Sequence, residues 1–277
     1  MRNLKLGLLG NNIEKSQSKK LHELIGSLYG INATYELMDL SDKKTTINDE
    51  LLRCQAEGFD GVNVTHPYKI DAFNHVNLMN GFPRGLTSIN TVIFKDNILA
   101  DNTDYLGFVQ AYQEKFNNKN PGKVLMLGAG GVGLAIGFGL LKLKASELVI
   151  FDTNQSYAKT LVSILNSNGL NSRLAKENLI DEINTANGLI NATPIGMFQY
   201  PGNPFPDLDG SSAKWSFDAV YTPVRTEFIK SCEKNNIDFI SGFKLFLHQG
   251  VEGFKRFSGI EVDGQLIEQK FLENYPL

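Results

Sequence analysis

Cysteine is nearly absent: Cys54 and Cys232 are the two in 277 residues, and they stand far apart in the chain. That excludes a small secreted fold stapled by disulfides, and a reducing cytoplasm is the expected setting. Histidine is scarce as well. His22, His66, His75 and His248 show no metal-ligand spacing and no neighbouring cysteine, so no metal is expected and each is read as an ordinary helix-surface or loop residue. No basic surplus exists, because 27 Lys and Arg face 30 Asp and Glu for a net charge of −3. Nothing is left over to neutralise a phosphate backbone, which excludes nucleic acid as a partner. The first ten residues carry an apolar run too short for a secretory signal and no small-residue cleavage site.

Long hydrophobic runs are also missing, with one exception. Val124 to Leu141 is 18 residues without a charge, yet it contains six glycines. The glycines break it into a strand, a tight turn and a buried helix, so no membrane span is expected.

What is present is the composition of a globular protein, with 42% hydrophobic and 21% charged residues in a length suited to one large or two small domains. The pattern alternates. Short strands are predicted at Leu4 to Leu9, Thr34 to Met38 and Gly61 to Val64, with helices after the first, over Ile47 to Ala56 and from Lys69 onward. Thr91 to Phe94 and Ile98 to Asp101 read as a polar hairpin that closes a first domain near Asp104, ahead of a polar Asn- and Lys-rich stretch, Gln110 to Pro121. A second series follows. Its strands are predicted near 124–127, 148–151, 188–191, 216–220 and 238–240, its helices near 132–143, 155–168 and 225–234, and beyond Gly242 the chain turns helical with Phe246, Val251, Phe254 and Phe257 in an apolar stripe. The expected fold class is α/β: an N-terminal α/β substrate domain with a mainly parallel sheet (1–104), a Rossmann dinucleotide-binding domain (105–242), and a C-terminal helical segment (243–277) packing back on the N-terminal domain.

Gly128-Ala129-Gly130-Gly131-Val132-Gly133 fits G-x-G-x-x-G between a strand and a helix. The first glycine permits the turn, the second lets backbone approach a pyrophosphate at the helix N-terminus, and the third allows close packing. Asp152 lies 19 residues past the last glycine, where a carboxylate accepts from the adenosine ribose hydroxyl and repels a 2′-phosphate. Thr153-Asn154-Gln155-Ser156 supply no cation for that phosphate, so NAD is expected over NADP.

In the first domain, polar side chains gather where strands end: Ser16 and Ser18 after the first strand, Asn63 to Lys69 after the third, Asn90 and Asp104 around the hairpin. Ligands of open parallel sheets bind there. Lys69 is a candidate proton donor or acceptor for an alcohol or ketone, with Asp104 holding its ammonium; the alternative is a surface lysine and a helix-capping aspartate.

Gly61-Val62-Asn63-Val64-Thr65-His66-Pro67-Tyr68-Lys69 resembles the G-x-N-V-T-x-P-x-K signature of the shikimate dehydrogenases. Ile89-Asn90-Thr91, Asn102-Thr103-Asp104, Asn191-Ala192-Thr193-Pro194-Ile195-Gly196-Met197, Asp218-Ala219-Val220-Tyr221-Thr222-Pro223, Gly242 and Gln249-Gly250 are similar to that family's further segments, in the same order, so the resemblance covers Gly10 to Gly259. It implies Lys69 and Asp104 as the catalytic pair and Ser16, Ser18, Thr65, Asn90, Tyr221 and Gln249 as holders of a cyclic polyol carboxylate. It also places Thr193, Ala219 and Gly242 at the cofactor. Ser, Thr, Tyr, Asn and Gln suit such a substrate, because each supplies oriented hydrogen bonds without a fixed charge.

The sequence departs from the family in three places, one of them Tyr105, which stands where many members carry glycine after Asn-Thr-Asp. The usual G-x-P-I-x-H-S-x-S-P stands here as Gly10-Asn11-Asn12-Ile13-Glu14-Lys15-Ser16-Gln17-Ser18-Lys19, which keeps both serines and loses the prolines that stiffen the loop. Phe151-Asp152-Thr153 occupies the place of the N-R-T phosphate clamp of NADP-using members, which looks like the NAD-preferring quinate/shikimate branch. The resemblance implies a cytoplasmic oxidoreductase, monomer or homodimer, of aromatic amino acid biosynthesis or quinate catabolism. The alternatives are a non-catalytic NAD-binding regulatory paralogue and a two-domain dehydrogenase for a folate or an amino acid.

Overall fold

The computed structural model describes residues 2–205 and 207–276. In chain order its elements are β1 (Arg2–Gly10), α1 (Ser18–Leu28), β2 (Ile31–Asp39), α2 (Ile47–Ala56), β3 (Gly61–Val64), a 3-10 turn (Ala72–His75), β4 (Asn77–Leu78), β5 (Thr91–Phe94), β6 (Ile98–Asp101) and α3 (Thr103–Phe116). Then come β7 (Lys123–Leu127), α4 (Gly131–Lys142), β8 (Glu147–Phe151), α5 (Gln155–Ser167), β9 (Ser172–Leu174), α6 (Leu179–Thr185), β10 (Gly188–Asn191), β11 (Trp215–Asp218), α7 (Glu227–Lys234), β12 (Asp238–Ile240), α8 (Gly242–Ser258) and α9 (Gly264–Asn274). Two compact units result: Met1–Phe82 with Thr87–Thr103 and Leu247–Leu277, and Pro83–Leu86 with Asp104–Phe246.

The first unit is built on a sheet of order β2-β1-β3-β5-β6-β4. β1 runs parallel to β2 and β3, and the β5/β6 hairpin adds antiparallel to β3. Leu4, Leu6, Leu8 and Leu9 are buried on both faces of β1, as a central parallel strand requires. Registers set Leu9 beside both Met38 and Val64, so the chain leaves β1, β2 and β3 at one edge.

His22 corrects the sequence reading. It is 1% exposed, stacked on Tyr35 at 4.7 Å and flanked by Phe254 and Phe257 of α8, so it belongs to the core that binds the C-terminal helix to this unit. Burial pushes its imidazole down to about 3, and it is neutral at pH 7. His248 is likewise buried on α8. A helix expected from Lys69 onward is replaced by turns and the short Ala72–His75 turn, where Asn74 and His75 are poor helix formers.

The second unit is a six-stranded sheet, β12-β11-β10-β7-β8-β9, with every pairing parallel. Strand order reverses between β7 and β10, the place where open α/β sheets bind ligands. The polar stretch from Gln110 proves to be mostly α3: Phe108, Tyr112 and Phe116 recur every fourth residue on a buried face, edge-on to Phe217 and Trp215, with the Asn and Lys residues outside. Cys54 and Cys232 are free and buried, one in each unit, and burial raises both thiols, to about 11 and about 12.

β9 and α6 are absent from the sequence reading, because Ser-Arg-Leu offers no apolar alternation. Charge holds them instead. Arg173 donates to Glu147 at 2.7 Å and to both oxygens of Glu182 at 2.6 and 2.8 Å, and Lys123 reaches Glu182 at 3.1 Å. Glu182 is 1% exposed, and the Arg173 bond, against the opposing effect of burial, holds its carboxyl at about 2 compared with an ordinary 4.5. A depressed native pKa stabilises fully above the unfolded value, and that contribution is lost as pH falls from about 4.5 toward 2. Glu182→Gln is expected to cost about 3 to 5 kcal/mol in urea unfolding at pH 7, because two cations are left facing an amide. It should also flatten the acid limb of stability in that window; an unchanged limb would clear Glu182 as its source.

Candidate active site

In the first unit the chain leaves β1 at Gly10 and makes the serine loop before α1. Ser16 donates its hydroxyl toward Ser18 at 3.1 Å, and both side chains are half-buried. The segment after β3 carries Thr65 and Lys69, half-buried as well, and the Lys69 carbonyl accepts from Ile89 N at 2.9 Å. Burial, and then the charge of Lys69, hold the His66 imidazole below its usual range.

Asn90 sits between these segments and the hairpin, and its amide is oriented by its neighbours. Its Oδ1 accepts from Thr103 N at 2.7 Å and Thr91 Oγ1 at 3.0 Å, and its Nδ2 donates to Thr103 Oγ1 at 3.0 Å and to Gln249 Oε1 on α8 at 3.3 Å. Behind it Asn63 donates to the Asn90 carbonyl at 3.1 Å and to Thr91 Oγ1 at 3.2 Å, and accepts from the buried Tyr35 hydroxyl at 2.9 Å. Sequence reasoning gave Tyr35 no role here, and it named Asn63 and Thr103 only within polar stretches and motifs. The available signal was Asn63 itself: an amide inside a four-residue strand buried at every position needs partners. Asp104, the residue after Thr103, is 4% exposed in the first turn of α3.

In the second unit β7 ends in the glycine turn. Gly128 has φ +103°, and a Cβ there would lie 2.6 Å from the Ala192 carbonyl, so only glycine closes this turn against β10. A Cβ on Gly133 would meet the Gly128 carbonyl at 2.3 Å, whereas one on Gly130 would meet nothing within 4 Å. That open face ahead of the α4 N-terminus, with Gly131 and Val132 in its first turn, is the cradle a dinucleotide pyrophosphate fits. Asp152 stands at the end of β8 with Oδ2 accepting from Ala129 N at 2.7 Å and Oδ1 from Asn154 N at 2.8 Å. The carboxylate is therefore part of the glycine turn, and each oxygen keeps a lone pair for a further donor.

The ends of β10 and β11 are joined by buried polar groups absent from the sequence-derived site. Asn191 accepts from the Thr193 hydroxyl at 2.6 Å and donates to Asp218 at 2.9 Å, and Asp218 also accepts from Val220 N at 3.0 Å and Thr226 Oγ1 at 2.5 Å. Burial raises the Asp218 carboxyl to about 6 in spite of these three donors. Ala219 N bonds the Asn191 carbonyl at 2.8 Å, and Gly242 lies so close to the Ala219 and Val220 carbonyls that a Cβ would sit 2.6 Å from each. The structure thus gathers Gly128, Gly130, Gly133, Asp152, Thr193, Ala219 and Gly242 at the carboxyl edge of one sheet. Tyr221, stacked on Phe246 at 5.0 Å, lies in this unit, and the other five expected substrate residues lie in the first. Among the described residues no group of three or more His, Cys, Asp and Glu converges as a metal site would, and no helix is long and apolar enough to cross a membrane.

A family model described as the shikimate dehydrogenase substrate binding domain matches residues 8–92. The quinate/shikimate dehydrogenase (NAD(+)) of Corynebacterium glutamicum (strain R) is 30% identical over 279 residues, covering 96% of this chain and 97% of the relative. The shikimate dehydrogenase (NADP(+)) of Streptomyces avermitilis is 30% identical over 267 residues, covering 93% and 91%. Among solved structures, quinate dehydrogenase from Corynebacterium glutamicum in complex with NAD aligns with a TM-score of 0.89 at 29% identity, over 99% of this chain and 100% of that one.

Proposed function

The chain belongs to the shikimate dehydrogenase family, and from that premise we propose that it passes a hydride between NAD and the hydroxyl-bearing ring carbon of shikimate or quinate, with Lys69 and Asp104 as its acid-base pair. The observation that carries the reading is the glycine turn: Gly128 and Gly133 leave no room for a Cβ against backbone, Gly130 leaves an open face ahead of the α4 N-terminus, and the Asp152 carboxylate is fixed beside it by Ala129 N at 2.7 Å. On the substrate side, a set of Ser, Thr, Asn, Tyr and Gln side chains suits a polyol, because each hydroxyl can be paired and analogues that leave groups unsatisfied are rejected.

Residues 1–104 and the segment from Gln249 then supply the substrate side, and residues 105–242 the cofactor side. Ser16, Ser18 and Thr65 take the carboxylate end, and Asn90, Tyr221 and Gln249 orient the ring. Lys69 moves the proton of the reacting hydroxyl, with Asp104 as its acid-base partner. Nicotinamide, when bound, supplies the hydride acceptor. The Asp152 carboxylate facing the glycine turn favours the ribose of NAD and repels the extra phosphate of NADP.

The test is a two-by-two assay of the purified chain, NAD or NADP against shikimate or quinate, followed by the absorbance of reduced nicotinamide. Turnover of either acid with NAD is expected; binding of NAD without turnover of either would point to the regulatory paralogue. Ser16→Ala and Ser18→Ala are each expected to raise the KM for the acid about tenfold, the worth of a hydrogen bond to a charged group, with little change in kcat. The reason is that a carboxylate remote from the reacting carbon is held equally in ground and transition states. A loss confined to kcat would place the serines at the reacting end instead.

A further inference from the structure

The serine loop lacks the family's prolines, and the structure shows what holds it. On one side it is backed by the end of β2: Ile13 N donates to Asp39 Oδ2 at 2.9 Å, Asn12 N donates to Ser41 Oγ at 2.9 Å, and the Ser41 hydroxyl donates to Asp39 Oδ1 at 2.6 Å. Burial works to raise the Asp39 carboxyl, yet the bonds from Ser41, Ile13 and Asn12 outweigh it and hold it at about 2, so this anchor is charged at any working pH. On the other side lies the segment that carries Thr65 and Lys69. Thr65 N donates to the Leu9 carbonyl at 2.9 Å, Asn11 N donates to the His66 carbonyl at 3.0 Å, and the Tyr68 hydroxyl donates to Asn11 Oδ1 at 2.9 Å. The Tyr68 ring packs against the buried cluster of Leu9, Val64 and Ala72, and its backbone is fixed at both ends, N–H to Thr65 and carbonyl to Ala72 N.

Tyr68 is therefore a rigid arm, anchored in the core, that reaches from the residue before Lys69 to the loop of Ser16 and Ser18. We infer that Tyr68 and Asn11 are positioning residues whose hydrogen bond sets the spacing between the carboxylate-holding serines and the Lys69 ammonium, and with it the ring carbon presented for hydride transfer. This rests on the functional reading above. The carboxylate and the reacting hydroxyl of a six-membered ring acid are a fixed distance apart. A loop free to drift would still bind the carboxylate and would misplace the hydroxyl, and misplacement at a reacting centre costs rate more than affinity.

Tyr68→Phe removes one oxygen and keeps the ring's packing. It is expected to lower kcat for the acid about tenfold, the worth of one hydrogen bond, while the KM for the acid changes less than twofold and the KM for NAD not at all. That split is the reverse of the one expected for Ser16→Ala. In an Asn11→Ala background Tyr68→Phe should cost nothing further. A kcat within twofold of the parent, a loss carried by the KM for NAD, or multiplicative losses in the double variant would each overturn the strut. If Asn11→Ala fails to fold, the kcat to KM split of Tyr68→Phe decides alone. A parent chain that turns over neither acid overturns the functional reading and the strut with it, whereas an active parent with an unaffected Tyr68→Phe overturns the strut only.

Discussion

Lys69→Ala is expected to lower turnover of shikimate or quinate on the order of 100- to 10,000-fold, the usual loss when a general acid-base group is removed. NAD affinity, measured by titration of the free protein, should stay unchanged, because Lys69 is proposed to act on the substrate hydroxyl and the dinucleotide is proposed to rest on the glycine turn and Asp152. The fold should tolerate the change: the Lys69 backbone is held through its carbonyl by Ile89 N, and alanine keeps that bond. Asp104→Asn should give a related defect, and the double variant should be no slower than the worse single one, since residues acting as a unit do not contribute independently. Turnover near the parent level in Lys69→Ala would remove Lys69 from the mechanism, and a fully multiplicative double loss would dissolve the pair.

Cofactor choice should respond almost as strongly. Removing the carboxylate in Asp152→Ala is expected to weaken NAD about 10- to 100-fold, the worth of a charge-assisted hydrogen bond, and to relieve repulsion of NADP, so that preference narrows without reversing. Asp152→Ser with Thr153→Arg adds a phosphate partner and should move the preference to NADP. The structure adds a control. Because Asp152 also accepts from Ala129 N, part of the Ala effect is a loosened glycine turn. Asp152→Asn retains an acceptor oxygen for Ala129 N and loses the charge, so it reports the charge effect with less disturbance of the turn. The measurement is the ratio of kcat/KM for the two cofactors at saturating acid. A parent chain that already prefers NADP would reduce Asp152 to a turn residue and overturn the cofactor assignment.

The substitutions proposed above sit on residues that were legible in the sequence to different degrees. The glycine turn was readable because a strand, a turn and a fixed spacing surround it, and Asp152 because it follows the next strand, whereas Lys69, Asp104, Ser16 and Ser18 stood out only as polar candidates at strand ends whose roles the family resemblance implies. Tyr68 and Asn11 were not, since their partnership joins positions 57 residues apart through a side chain that any aromatic could replace by local pattern alone. Asn191, Asp218 and Thr226 escaped for the same reason: each satisfies a buried group on a neighbouring strand end, and strand adjacency is a property of the sheet.

The sequence by itself determined the alternation of strands and helices, the hairpin at residues 91–101, though it is largely buried and not polar as expected, and the dinucleotide turn, because these depend on short-range periodicity and on the backbone freedom of glycine. Tertiary structure decided the rest. α3 hid behind a polar composition until Phe108, Tyr112 and Phe116 met Phe217 and Trp215, β9 and α6 formed around the Arg173 to Glu182 pairing, and His22 became a neutral core residue when α8 closed over it. In each case the deciding energy is burial or charge pairing with groups distant in sequence, which local propensity does not encode.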